Sequence, residues 1–131
     1  MDIGHADRPT SGASPADLVA QLREVRHRTR RLTEDLSSAE LLGPYLEIVN
    51  PVLWELGHIA WFHEYWTLRE AAGRAPLIER GDRLWDSSNV AHKTRWHLDL
   101  PDRAGTYGYM ADVLARQEEL LGRSLDEATR Y

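Results

Sequence analysis

The stretch NPVLWELGHIAWFHEYWTLRE, Asn50 to Glu70, carries two of the six histidines and three of the five tryptophans. An imidazole can ligate a metal, carry a proton near neutral pH, or serve as a buried hydrogen-bonding group. On a helix turning 100° per residue, His58 shares its face with Trp54, Trp61, Phe62 and Tyr65, and Glu55 flanks that face. His63 falls about 140° away, beside Val52, Leu56, Ile59 and Trp66. A pair of ligands on one helix needs a spacing of three or four, and these two are five apart, so they do not form a helical ligand pair. The residues alone leave His58 open between a core histidine bonded to a carbonyl or carboxylate and a metal ligand that needs partners. His63 reads as a packing residue.

Other chemistries are excluded more firmly. The chain has no cysteine, so a thiolate nucleophile, a disulfide framework and a zinc-thiolate site are ruled out. It shows no Gly-rich phosphate loop, no Ser-His-Asp order and no paired-carboxylate motif, and no acid/base residue can be assigned. A net charge of −5 argues against nucleic acid or an anionic membrane as partner. The one basic run, REVRHRTRR (Arg23 to Arg31), lies on a helical pattern and reads as its solvated face. The first residues lack the apolar core of a signal peptide, and no apolar run reaches transmembrane length; a cytoplasmic protein is expected.

The elements that must position His58 are helical. Residues 1–13 are expected to be disordered, and 14–131 to form one all-α domain. Ser14-Pro15 with Asp17 starts a first helix, along which Leu18, Leu22, Val25, Thr29, Leu32 and Leu36 form an apolar stripe. Ser37 and Glu40 form a capping box for a short segment that Gly43-Pro44 ends. Asn50-Pro51 opens the His58 helix, which should run to about Ala72 and stop at Gly73. Residues 74 to 105 read as a long, mostly irregular connection, but one that spends Trp85 and Trp96 on packing. Thr106 caps a third long helix ended by Gly122, and Ser124 with Glu127 begins a fourth. This is the pattern of an up-and-down four-helix bundle truncated at the start of its fourth helix. The apolar groove so exposed predicts self-association.

The pattern W-x-LGHIAWF-x-E-x-W-x-LR in Trp54 to Arg69 resembles the signature helix of the N-terminal DinB-like domain in ergothioneine-type sulfoxide synthases. The stretch LWDSSNVAHKTRWHLDLP, Leu84 to Pro101, looks most like the selenoneine synthase branch. The resemblance implies that His58 is one of three histidine ligands to a non-haem iron(II). The other two come, in that family, from a His-x-x-x-His-x-Glu motif on the fourth helix, and a C-terminal formylglycine-generating-enzyme-like domain completes the pocket. Neither is found in these 131 residues, so the chain alone is expected to hold no iron and to be inactive. The implied enzyme uses oxygen to join selenium, from a selenosugar, or sulfur, from a thiol, to the imidazole of hercynine. By the same resemblance His92 and Arg95 align with a pair of arginines that grip the thiol donor, and are expected to bind substrate. The histidine at the first position favours the neutral selenosugar. A DinB-like thiol-dependent transferase and a metal-free helical scaffold are the alternatives.

Overall fold

The structure, a computed structural model, describes residues 14–128, and the backbone alone for 124–128. The disorder expected of residues 1–13 and the capping box read at Ser124 and Glu127 concern residues or side chains outside those described. The elements are α1 (Pro15–Thr33), α2 (Ser38–Leu42), α3 (Val52–His63), a π-helical continuation of α3 (Glu64–Ala71), α4 (Gly81–Trp85), a 3-10 turn (His92–Trp96) and α5 (Arg103–Ala128). No strand occurs among the described residues, in accord with the all-α expectation. No described helix is long and apolar enough to cross a membrane.

The start signals act as their chemistry predicts. Ser14 and Asp17 cap α1 reciprocally, and Ser37 and Glu40 do the same for α2, whose end Gly43 closes at φ 67°. Gly73, at φ 69°, follows the end of the α3 continuation, a conformation that a side chain disfavours. At α3 the reading needs a correction. Pro51 is the capping residue, and Asn50 instead donates to Glu55 Oε1 at 2.6 Å.

α5 packs against both α1 and α3. The core gathers Trp54, Leu56, Ala60 and Trp61 from α3, Leu84 and Trp85 from α4, and Tyr109, Met110 and Val113 from α5. Trp54 and Trp85 are 1% and 0% exposed. At about 25 cal/mol per Å2, burying a ring system of this size contributes roughly 4–6 kcal/mol.

Two expectations fail, for identifiable reasons. The inward stripe of α1 is Val19, Leu22, Arg26, Thr29 and Thr33, while Leu18, Val25 and Leu32 are 39%, 53% and 75% exposed. Hydrophobicity misplaced the stripe because the bundle buries an arginine and a threonine there. The second failure is at Gly122. α5 begins at Arg103, with Asp102 accepting from the Gly105 N–H, and runs through Gly122 to Ala128 as one helix, so no fourth helix begins within it. A mid-helix glycine costs about 1 kcal/mol, which a long packed helix absorbs. The connection from 74 to 105 is ordered, as its tryptophans required, and contains α4 and the 3-10 turn.

The Trp85 ring lies directly on Gly57, where a Cβ would overlap the indole. Gly57→Ala should therefore destabilise the fold by roughly 1–3 kcal/mol or more, read as a lower urea midpoint. An unchanged midpoint would mean that the α3–α4 contact is looser than described.

Candidate functional site

The site is built on the end of α4. The last carbonyls of any helix lack partners within it. Here α3 supplies the donors: Trp54 Nε1 donates to the Leu84 carbonyl at 2.7 Å, and His58 Nδ1 lies 2.8 Å from the Trp85 carbonyl. One turn on, Trp61 Nε1 donates to Asp82 Oδ1 at 2.7 Å, and Arg69 makes a bidentate pair with the same carboxylate. Arg69 and Trp61 hold the Asp82 carboxyl below the usual carboxylate range.

A carbonyl only accepts, so the Trp85 contact puts a proton on His58 Nδ1 and leaves Nε2 of the neutral ring as a lone pair. The ring stacks on Trp54 at 4.7 Å between centroids and is flanked by Trp61 and Phe62. His58 is half-buried and borders a shallow groove of about 280 Å3 with Ile59, Phe62 and His63. The aromatic face read from the sequence is thus assembled around His58. Phe62 is 48% exposed, so that face is part core and part surface.

His63 borders the same groove, despite the spacing of five. Its Nδ1 is 3.0 Å from Arg26 Nη2, a group that can only donate, so Nδ1 is the acceptor and the neutral ring carries its proton on Nε2. Burial, together with the Arg26 charge, pushes the His63 pKa down. Glu55 is held by Asn50 and does not reach His58 through any bond seen here.

The continuation of α3 is π-helical, which an ideal wheel does not anticipate. It turns Glu64 inward, where 2% remains exposed, to accept from Tyr109 Oη at 2.5 Å and from the Leu77 N–H at 2.6 Å. Burial and the Glu64 carboxylate push the Tyr109 pKa far up, so the phenol stays a donor. The apolar period of the third long helix already places Gln117 on its inner face, where it is buried; Glu64 and Arg26 were missed because a charge is normally the sign of an outward position.

Arg95 is 9% exposed, and all three of its nitrogens are engaged: Nε and Nη2 with the Val90 carbonyl, Nη2 also with Ser87 O, and Nη1 with Asn50 Oδ1. Its guanidinium lies 4.0 Å over the Trp54 ring, whose other neighbour in this stack is His58. Arg95 therefore braces the loop. His92 Nε2 donates to the Leu46 carbonyl at 2.7 Å, beside the Tyr45 and Trp96 rings. Among the described residues no three histidine, aspartate or glutamate side chains converge as a metal site; His58 supplies one imidazole of the kind a metal needs.

Residues 21–130 match the family model described as DinB superfamily. The chain is 33% identical over 118 residues to a hercynine oxygenase of Mycolicibacterium thermoresistibile, covering 88% of this chain and 26% of that protein. It is also 33% identical to hercynine oxygenases of Mycolicibacterium smegmatis, over 106 residues (79% and 24%), and of Mycobacterium tuberculosis, over 102 residues (76% and 24%). The chain thus spans about a quarter of the length of these relatives.

The lowered His63 pKa has a consequence for stability. The unfolded chain binds the proton more readily, so His63 favours folding above the ordinary histidine value of about 6.5, and this contribution is lost as pH falls below it. Tm should fall as pH drops from about 7 toward 5, and His63→Gln, whose amide oxygen can still accept from Arg26, should flatten that slope. Identical slopes for the two proteins would contradict the Arg26–His63 contact.

Proposed function

The chain belongs to the DinB superfamily, and from that premise we propose that it forms the helical part of an iron(II)- and oxygen-dependent enzyme acting on hercynine. The reaction joins selenium, or in the alternative sulfur, to the hercynine imidazole. The hercynine oxygenases it resembles supply the substrate class. The single observation that supports a metal role is the His58 contact: Nδ1–H held by the Trp85 carbonyl leaves Nε2 free beside an open groove. Metal-bound histidines are oriented in this way, with the second nitrogen donating to a carbonyl or carboxylate.

His58 would provide one ligand, and the remaining ligands would come from outside the described residues. Iron(II), when bound, supplies open positions at which oxygen and the chalcogen donor are activated together. The chain's own part is orientation and exclusion. The Trp85 carbonyl fixes the imidazole plane, Trp54 stacks along it, and Trp61 and Phe62 limit water beside it. Exposed Leu18, Val25 and Leu32 on α1 support a cover for that side, by self-association or by a further helix of a longer protein.

The donor reading rests on the loop. A dicarboxylate thiol such as γ-glutamylcysteine calls for paired arginines, and here Arg95 is spent on the loop itself while His92 stands at the other position. With its Nε2–H on Leu46, His92 keeps Nδ1 to accept from a hydroxyl, which suits a neutral selenosugar.

Two experiments on the full-length gene product test this. After anaerobic loading with iron(II), His58→Ala should lose nearly all bound iron, and His63→Ala should keep it at some cost in stability. Equal iron content in both variants would remove His58 from the metal site. His92→Arg should shift the ratio of kcat/KM toward γ-glutamylcysteine over a selenosugar by roughly 1.5–3 kcal/mol, about 10- to 150-fold. A ratio that stays put, or an unmodified enzyme that already favours the dipeptide, would defeat the donor assignment and leave the family intact.

A further inference from the structure

The basic run of α1 is not simply a solvated face. Arg26 is 7% exposed, and its Nε and Nη1 are buried with no hydrogen-bond acceptor among the described residues. Its one partner is the neutral imidazole of His63, which offers no charge. A guanidinium cannot shed its proton to escape such a place, and an uncompensated buried cation is costly. A group that would repay that cost is an anion.

Arg26 lines a cleft of about 660 Å3 between α1 and α5. Arg23 and Arg30 bring further positive charge to its walls, and Met110 and Leu114 bring apolar surface. The acids at hand are already engaged. Glu118 pairs with Arg23 at 2.6 Å, and Glu24 accepts from Arg28 at 3.1 Å. Arg30 lies over the Tyr107 ring. The cleft is large enough for a small organic ligand, and its mixture of one buried cation with apolar walls selects a particular kind.

We propose that the α1/α5 cleft is a binding site for a small carboxylate with an apolar body, the carboxylate being held by the Arg26 guanidinium. Guanidinium and carboxylate match in geometry and charge, and a desolvated site strengthens the pairing. Nε and Nη1 lie beneath the cleft surface, so the ligand reaches them as wall side chains swing aside. Met110, unbranched and at the wall, is the apolar residue best able to do so. The two sites share no lining residue, and the Arg26–His63 contact is the link between them; hexanoate affinity is read without turnover, so the proposal is tested separately from the proposed enzyme activity.

The test is calorimetric titration and thermal shift of the full-length protein with hexanoate, hexanol and inorganic phosphate at matched ionic strength. Hexanoate should bind saturably and raise Tm, with hexanol and phosphate at least tenfold weaker. Arg26→Met should lose at least tenfold in hexanoate affinity while keeping or raising Tm without hexanoate, because it removes an unpaired buried charge. Ala111→Trp, at an exposed position on the cleft wall, should cause the same loss of affinity with Arg26 intact, and carries the test if Arg26→Met does not fold. No hexanoate binding by the unmodified protein, equal binding of hexanol, tighter binding of phosphate, or unchanged affinity in the variants that fold would each overturn the proposal.

Discussion

The carbonyls of Leu84 and Trp85 end a helix of five residues, too short to be stable by itself. Left bare in a buried place, each would cost about 1–3 kcal/mol. The Trp54 indole and the His58 imidazole take them, four residues apart on one face of α3. That pair of bonds fixes α4, the tryptophan that α4 carries, and the ring orientation of His58 in a single step. The same carbonyl that satisfies a packing demand thereby sets the tautomer of the candidate ligand.

The layers beyond follow from it. Trp85, seated on Gly57, stacks at 9° on Tyr109 of α5, and Tyr109 donates to Glu64 of the π-helical segment. Glu64 in turn accepts from the Leu77 N–H at the start of the connection that leads to α4. Tyr109, Glu64 and the Leu77 N–H thus form one chain of hydrogen bonds, beside which the Trp85 Nε1 is buried with no hydrogen-bond acceptor among the described residues. On the opposite flank of His58, Arg95 over Trp54 ties the 92–96 turn to the same stack. Its charge is spread over three carbonyl or amide oxygens, so it stiffens the loop.

What the sequence disclosed and what it hid divide along physical lines. Caps, prolines and turn glycines act locally, and Ser14, Ser37, Gly43 and Gly73 marked their helix ends correctly. The aromatic face around His58 was also legible, because its period lies within one regular helix. The burial of Arg26 and Thr33 was not, since polarity is normally the sign of an outward position and only the arrangement of neighbouring helices reverses it. Gly122 misled because a glycine stops a helix only when the backbone turns left-handed there, and nothing local forces that. Glu64 stands three and four residues from Trp61, Ala60 and Leu68, an inward position by spacing that only its charge argued against. Arg95 matched a motif in position while its donors were consumed by the loop, a distinction that distance along the chain cannot make.

The central claim is that the Trp85 carbonyl holds a proton on His58 Nδ1 and leaves Nε2 free. It can be read directly from the nitrogen chemical shifts and long-range proton couplings of His58 in protein labelled with nitrogen-15 at histidine, metal-free and above neutral pH. The account predicts a protonated Nδ1 and an unprotonated Nε2. A proton on Nε2, with Nδ1 bare, would contradict it.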